Sequence, residues 1–141
     1  MKKTAVLALT LLVVLVVAGC RSVKFSTPTA YENVNGTSEV TVSIKEQSLT
    51  DTGLTLLIQN NTQQQLSYDM TYTIEQKRDG SWYSMDGQQV FHSLAAILKP
   101  EDTNEFDVTW AKKLPMGTYR VIKPVSTSQG DTPLAIEFEV Q

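Results

Sequence analysis

The sequence predicts an all-β protein, an antiparallel β-sandwich of about seven strands, behind an N-terminal export signal. Three observations carry this. Apolar residues recur at every second position through most of the chain. Turn residues separate those runs at roughly ten-residue spacing. Residues 5–17 form an apolar run that stops just short of the only cysteine, Cys20.

Lys2 and Lys3 give that run a positive flank, and Ala18-Gly19 supply the small residues that a signal peptidase needs. Residues 1–19 therefore read as a signal peptide. Left uncleaved, residues 4–20 sit at the lower edge of the roughly 17 to 25 residues needed to span a bilayer, and small residues followed by cysteine favour cleavage. Val17-Ala18-Gly19-Cys20 resembles the lipobox of bacterial lipoproteins, in which the cysteine becomes the first mature residue and carries acyl chains, palmitate among them. The resemblance implies membrane lipid as a partner through acylated Cys20, and residence on the extracytoplasmic face of the cell membrane.

Residues 20–37 read as the lipidated cysteine and a flexible tether, mostly small or polar, with Pro28, Asn33, Asn35 and Gly36. Fully extended, such a segment reaches at most roughly 60 Å. Residues 38–141 then fit one domain. Removing residues 1–19 takes away two of the 12 basic side chains and none of the 15 acidic ones, so the formal charge moves from −3 to −5. Beyond Lys112-Lys113 no basic cluster remains, which argues against nucleic acid and against electrostatic attraction to an anionic membrane. With Cys20 acylated the domain has no thiol, hence neither a disulfide nor a thiolate metal site.

The strands follow in order. Val40, Val42 and Ile44 alternate with polar residues, and Leu54, Leu56 and Ile58 repeat the pattern after Asp51-Thr52-Gly53. Leu66, Tyr68, Met70, Tyr72 and Ile74 make the clearest run, with Asp69 and Glu75 on the opposite, solvated face. Burying five such side chains contributes on the order of 10 kcal/mol gross. Asp79-Gly80 before Ser81-Trp82-Tyr83 is a hairpin signal, because a type I′ turn needs positive φ at both central residues, and Asp86-Gly87 marks a second turn. Val90 to Leu98 reads as a short strand leading into a crossover. Phe106, Val108 and Trp110, then Tyr119, Val121 and Lys123, then Leu134, Ile136, Phe138 and Val140 complete the alternation.

Leu114-Pro115-Met116-Gly117-Thr118-Tyr119-Arg120, together with Asn60-Asn61-Thr62, Asp79 to Tyr83, Leu98-Lys99-Pro100 and Val108-Thr109-Trp110, resembles the bacterial immunoglobulin-like domain of many Gram-positive lipoproteins. The resemblance spans about residues 38 to 125 and implies an immunoglobulin-like sandwich with no established activity. One departure is Glu101, where the family usually has glycine. The residues themselves read as structural. Pro115 presets φ in a turn and Gly117 relieves its end. Tyr119 has the placement of a tyrosine corner, its hydroxyl bonding upstream backbone. Trp82 reads as a core or core-edge aromatic whose indole NH finds a partner.

His92 is the only histidine. A multi-histidine zinc site is thereby excluded, and nothing around it suggests a catalytic triad. Glu101, Asp102, Glu105 and Asp107 form the densest acidic run, but their spacing matches no calcium loop. Asn60-Asn61-Thr62 and Asn35-Gly36-Thr37 match the glycosylation pattern, which means little in a bacterial lipoprotein. The expected function is therefore a non-enzymatic binding or structural module without cofactor. It would meet a protein or cell-wall partner through loops near Gln47 to Thr52, Arg78 to Trp82 and Ala111 to Met116. The alternatives are an accessory subunit of a membrane complex and a proteinase inhibitor. The motif order is also similar to that of the intracellular proteinase inhibitor family, and Lys112-Lys113-Leu114-Pro115 would be the presented loop.

Overall fold

The computed structural model describes residues 22–88 and 94–141. Within them the chain is all β, two antiparallel sheets packed face to face. The smaller sheet has the order β2 (Val40–Ile44), β3 (Gly53–Asn60), β8 (Thr103–Thr109). The larger is built on β9 (Gly117–Thr127), flanked on one side along its whole length by β10 (Gly130–Val140). Its other side is shared. The first half of β9 pairs with β5 (Thr73–Arg78), beyond which lie β6 (Ser81–Met85) and β1 (Phe25–Pro28). The second half meets β4 (Leu66–Tyr68), followed by β7 (Ala96–Leu98).

Period-two patterning delivers the core. Leu54, Leu56, Ile58, Phe106 and Val108 of the smaller sheet meet Tyr68, Ile74, Tyr119, Val121 and Phe138 of the larger. Phe106 receives Tyr68 and Tyr72 edge-on at 5.9 and 5.8 Å, while Phe138 stacks between Trp110 and Tyr119 at 5.8 and 5.6 Å. Gly53 is needed for close approach, since a Cβ there would lie 2.7 Å from the Val108 carbonyl oxygen. Asp79 and Gly80 both take positive φ, 50° and 79°, as the β5–β6 turn requires.

The run from Leu66 to Ile74 is two strands rather than one. Ser67 faces Ser126 and Thr73 faces Ile122, so six steps along this chain answer four along β9. Two extra residues are therefore bulged out. An even insertion keeps the side-chain alternation in phase, which is why a single uninterrupted pattern survives in the sequence.

The outer face of the larger sheet is also covered, contrary to the expectation of a solvated face at Glu75. Glu75 is wholly inaccessible, and Arg120, its cross-strand partner, donates Nε–H to its carboxylate at 2.7 Å. The cover comes from the segment expected to be a tether. Phe25 fills the inner face of β1 against Tyr119. The chain then gives Thr29 Oγ1 and the Tyr31 carbonyl to Arg120 Nη2, each at 3.2 Å. Asn35 exchanges hydrogen bonds with Pro133 and Ala135 on the free edge of β10. Residues 25–35 thus strap the sheet from edge to edge. With one apolar residue facing the core and the rest of the strap held by polar groups, no hydrophobic period marks the segment in the sequence.

Candidate functional site

The loops that carry exposed, unassigned chemistry gather at the end of the sandwich where β9 begins and β10 ends. The β2–β3 connection and the β8–β9 connection meet there through Trp110, whose indole Nε1–H donates to the Asp51 carbonyl at 2.7 Å and whose amide donates to Thr52 O at 3.0 Å. Lys113 approaches the Asp51 carboxylate at 3.5 Å. Register places the β5–β6 hairpin at the same end, since Gln76 faces Tyr119 and the turn lies beyond it. Of the three segments expected as contact loops, the structure brings Gln47–Thr52 and Ala111–Met116 into contact.

Tyr119 anchors the second of these. Its hydroxyl donates to the Pro115 carbonyl at 2.6 Å and accepts from Gln76 Nε2 at 3.2 Å, and burial pushes its pKa up. Gly117 has φ 155° beside the same ring. Leu114 turns inward and is 2% exposed, whereas Lys112, Lys113 and Met116 face out. Of the Lys112 to Pro115 segment expected as the presented loop of an inhibitor, Leu114 is buried and the other three residues are exposed.

Trp82 stands elsewhere than expected. It lies half-buried on the outer face of the larger sheet, with the Arg120 guanidinium 4.4 Å and the Lys77 ammonium 5.6 Å from its ring centroid. Cross-strand pairing with Lys77 fixes that side. Trp110 is the tryptophan that enters the core and bonds its indole NH to backbone. Both sit in alternating runs, and the sequence carries no signal for which face of the β5–β6 hairpin is covered by the strap.

Lys123 is the residue whose chemistry sequence reasoning missed. It falls on the core face as the alternation requires, is fully inaccessible, and reaches into the bulge between β4 and β5. There its ammonium donates to the carbonyls of Asp69 at 2.7 Å, Thr71 at 2.9 Å and Pro124 at 3.3 Å. The rings of Tyr68 and Phe106 lie 4.9 and 4.7 Å away. Burial pushes its pKa down to about 8, opposed by the Asp69 carboxylate.

The acidic run is dispersed over separate partners. Glu105 pairs with Lys45 at 2.7 Å, Asp107 accepts from Thr55 at 2.8 Å, Asp102 caps Thr103, and Glu101 accepts from Gln63. Among the described residues no three or more His, Cys, Asp or Glu are grouped to hold a metal ion. Asn60, the first residue of one glycosylation-like pattern, is fully buried. Its Nδ2 reaches the carbonyls of Gln64, Leu98 and Lys99, and its Oδ1 accepts from Thr62. Val17, Ala18, Gly19, Cys20 and His92 lie outside the described residues.

The family model described as bacterial Ig-like domain matches residues 36–139. The chain belongs to that family. The two-sheet antiparallel architecture is the Ig-like sandwich, and the family is one of generally non-enzymatic binding or structural modules. No curated protein matches the sequence. The matched span begins after the strap, so the bacterial Ig-like domain here carries an N-terminal strand, β1, outside the matched residues.

Proposed function

We propose that this chain is a membrane-anchored extracytoplasmic lipoprotein whose Ig-like domain is a binding or structural module. The observation that carries the reading is the apolar run closing on Val17-Ala18-Gly19-Cys20, the form of a lipobox, ahead of a domain of this family. Acylation at both sulfur and amine supplies the two or more chains that stable anchoring takes. The module meets a protein or wall component through the joined loops at 47–52 and 111–116. Their backbones are pinned by Trp110 and Tyr119 while Lys112, Lys113 and Met116 point outward.

Crosslinking on intact native cells, with mass-spectrometric mapping of the attached sites, tests the module. One dominant partner attached at those loops is the expected result. Turnover of a defined substrate by the purified protein would overturn the non-enzymatic reading.

A further inference from the structure

Among the described residues the edge strands are β1, β7 and β10 of the larger sheet and β2 and β8 of the smaller. An open edge offers unpaired N–H and C=O groups to another strand, and bulges, proline, short length, charge or covering groups prevent the pairing. β1 changes register between Phe25 and Thr27 and ends on Pro28. β7 is three residues long, and the carbonyls of Ile97 and Leu98 accept from Asn104 and Asn60. β10 carries Pro133, and Asn35 covers its edge there. A copy of β8 paired with β8 about Phe106 sets Glu105 against Asp107.

β2 has none of these devices. Its sequence is Val40-Thr41-Val42-Ser43-Ile44, uncharged, free of proline and rich in β-branched residues. The Lys45 amide donates to Thr55 O at 2.9 Å and the Glu39 carbonyl accepts from Asn61 N at 2.8 Å, so the odd-numbered residues bond β3. By alternation Val40, Val42 and Ile44 turn their backbone groups to the open edge. Their side chains face the core, where Val42 and Ile44 stay only half-buried.

Charge selects what this edge fits. Antiparallel pairing of β2 with itself engages all of those outward groups in one register, with Val42 opposite Val42 on a two-fold axis and Val40 opposite Ile44. The same register sets Glu39 opposite the second copy's Lys45 at each end of the ladder. Glu39 accepts from the hydroxyl and the amide of Ser128, which hold its pKa low and keep it a carboxylate. Lys45 lies 2.7 Å from Glu105 with its side chain 48% exposed, which leaves its ammonium open to a second acid. Thr41 meets Ser43 on the outer face, and the β-branched residues meet on the inner one. A slip of two residues in either direction breaks both ion pairs.

We infer that β2 is a self-association edge, at which a second copy of this chain pairs antiparallel about Val42 and makes the smaller sheet continuous across both copies. The interface is small, of the transient class. The exposed ion pairs fix register and partner more than they add affinity. The inference draws on β2 and does not depend on acylation at Cys20.

The test uses purified full-length protein, with Thr41→Cys and Ser43→Cys variants mixed in equal amounts and mildly oxidised. Both residues are exposed on the outer face, away from the core. In the inferred register they form a non-hydrogen-bonded pair with Cα atoms about 4.5 Å apart, within disulfide reach. Peptide mapping, which tells these links from any through Cys20, should find position 41 joined to 43. Either variant alone should give no link, since its equivalent positions stand diagonally, about 7–8 Å apart. Adding Lys45→Glu to both variants should lower the yield several-fold, and adding Glu39→Lys as well should restore it. No link in the mixture overturns the pairing. Links of 41 to 41 or 43 to 43 at equal yield overturn the register, and a yield indifferent to Lys45→Glu overturns selection by charge.

Discussion

Lys123 shows how one residue links folding to pH. Its pKa is about 8 in the folded domain, against an ordinary 10.5. Below pH 8 the folded state carries a charge that burial disfavours. Between about pH 8 and 10.5 the unfolded chain binds more protons at this site, so its contribution to stability rises with pH across that window. Thermal melts of the wild type and Lys123→Met should diverge there, the wild type gaining stability relative to the variant as pH rises from 8 to 10. Tyr119 belongs to the same scale. Tyr119→Phe leaves the Pro115 carbonyl without its donor and should cost about 1 kcal/mol in denaturant unfolding. Glu101 is the residue at which the chain departs from its family's usual glycine, and it sits at φ 58°. A left-handed conformation costs a non-glycine residue about 1–2 kcal/mol, partly offset by the greater freedom of glycine in the unfolded chain. Glu101→Gly should therefore raise stability by about 0.5–1 kcal/mol, read from the same denaturant curves.

At the scale of elements, β1 and the Glu75–Arg120 pair tie the N-terminal strap to the sheet. Phe25 is 5% exposed and packs on Tyr119 with ring centroids 5.5 Å apart. Phe25→Ala should cost about 3–5 kcal/mol, whereas a residue in a free tether would tolerate truncation with no measurable change. Glu75→Ala leaves a buried guanidinium without its carboxylate and should cost about 3–5 kcal/mol. What the sequence made legible divides along the same line. Strands with one buried face announced themselves by alternation, as in Leu54, Leu56 and Ile58 of β3. The hairpin at Asp79-Gly80 announced itself by turn chemistry. The strap did not, because hydrogen bonds from Thr29, Tyr31 and Asn35 hold it and hydrogen bonding leaves no period. Trp82 and Glu75 were assigned to the wrong surroundings for the same reason, since their cover comes from a segment distant in sequence. The split between β4 and β5 was hidden by its own parity.

The whole molecule is an Ig-like sandwich whose N-terminal strand begins five residues after the cysteine expected to carry lipid. The fold was readable as a class because a two-faced sheet imposes period two on everything it contains. The contacting end was readable only as separate loops; Trp110 joins two of them through Asp51 and Thr52, a tertiary contact that neither loop encodes alone. Lipid anchoring of the domain depends on Cys20. Intact-mass measurement of the protein extracted from native membranes tests it most directly. The predicted result is a polypeptide beginning at Cys20, heavier than residues 20–141 by the mass of the attached acyl groups. An unmodified mass for Met1 to Gln141 would contradict it.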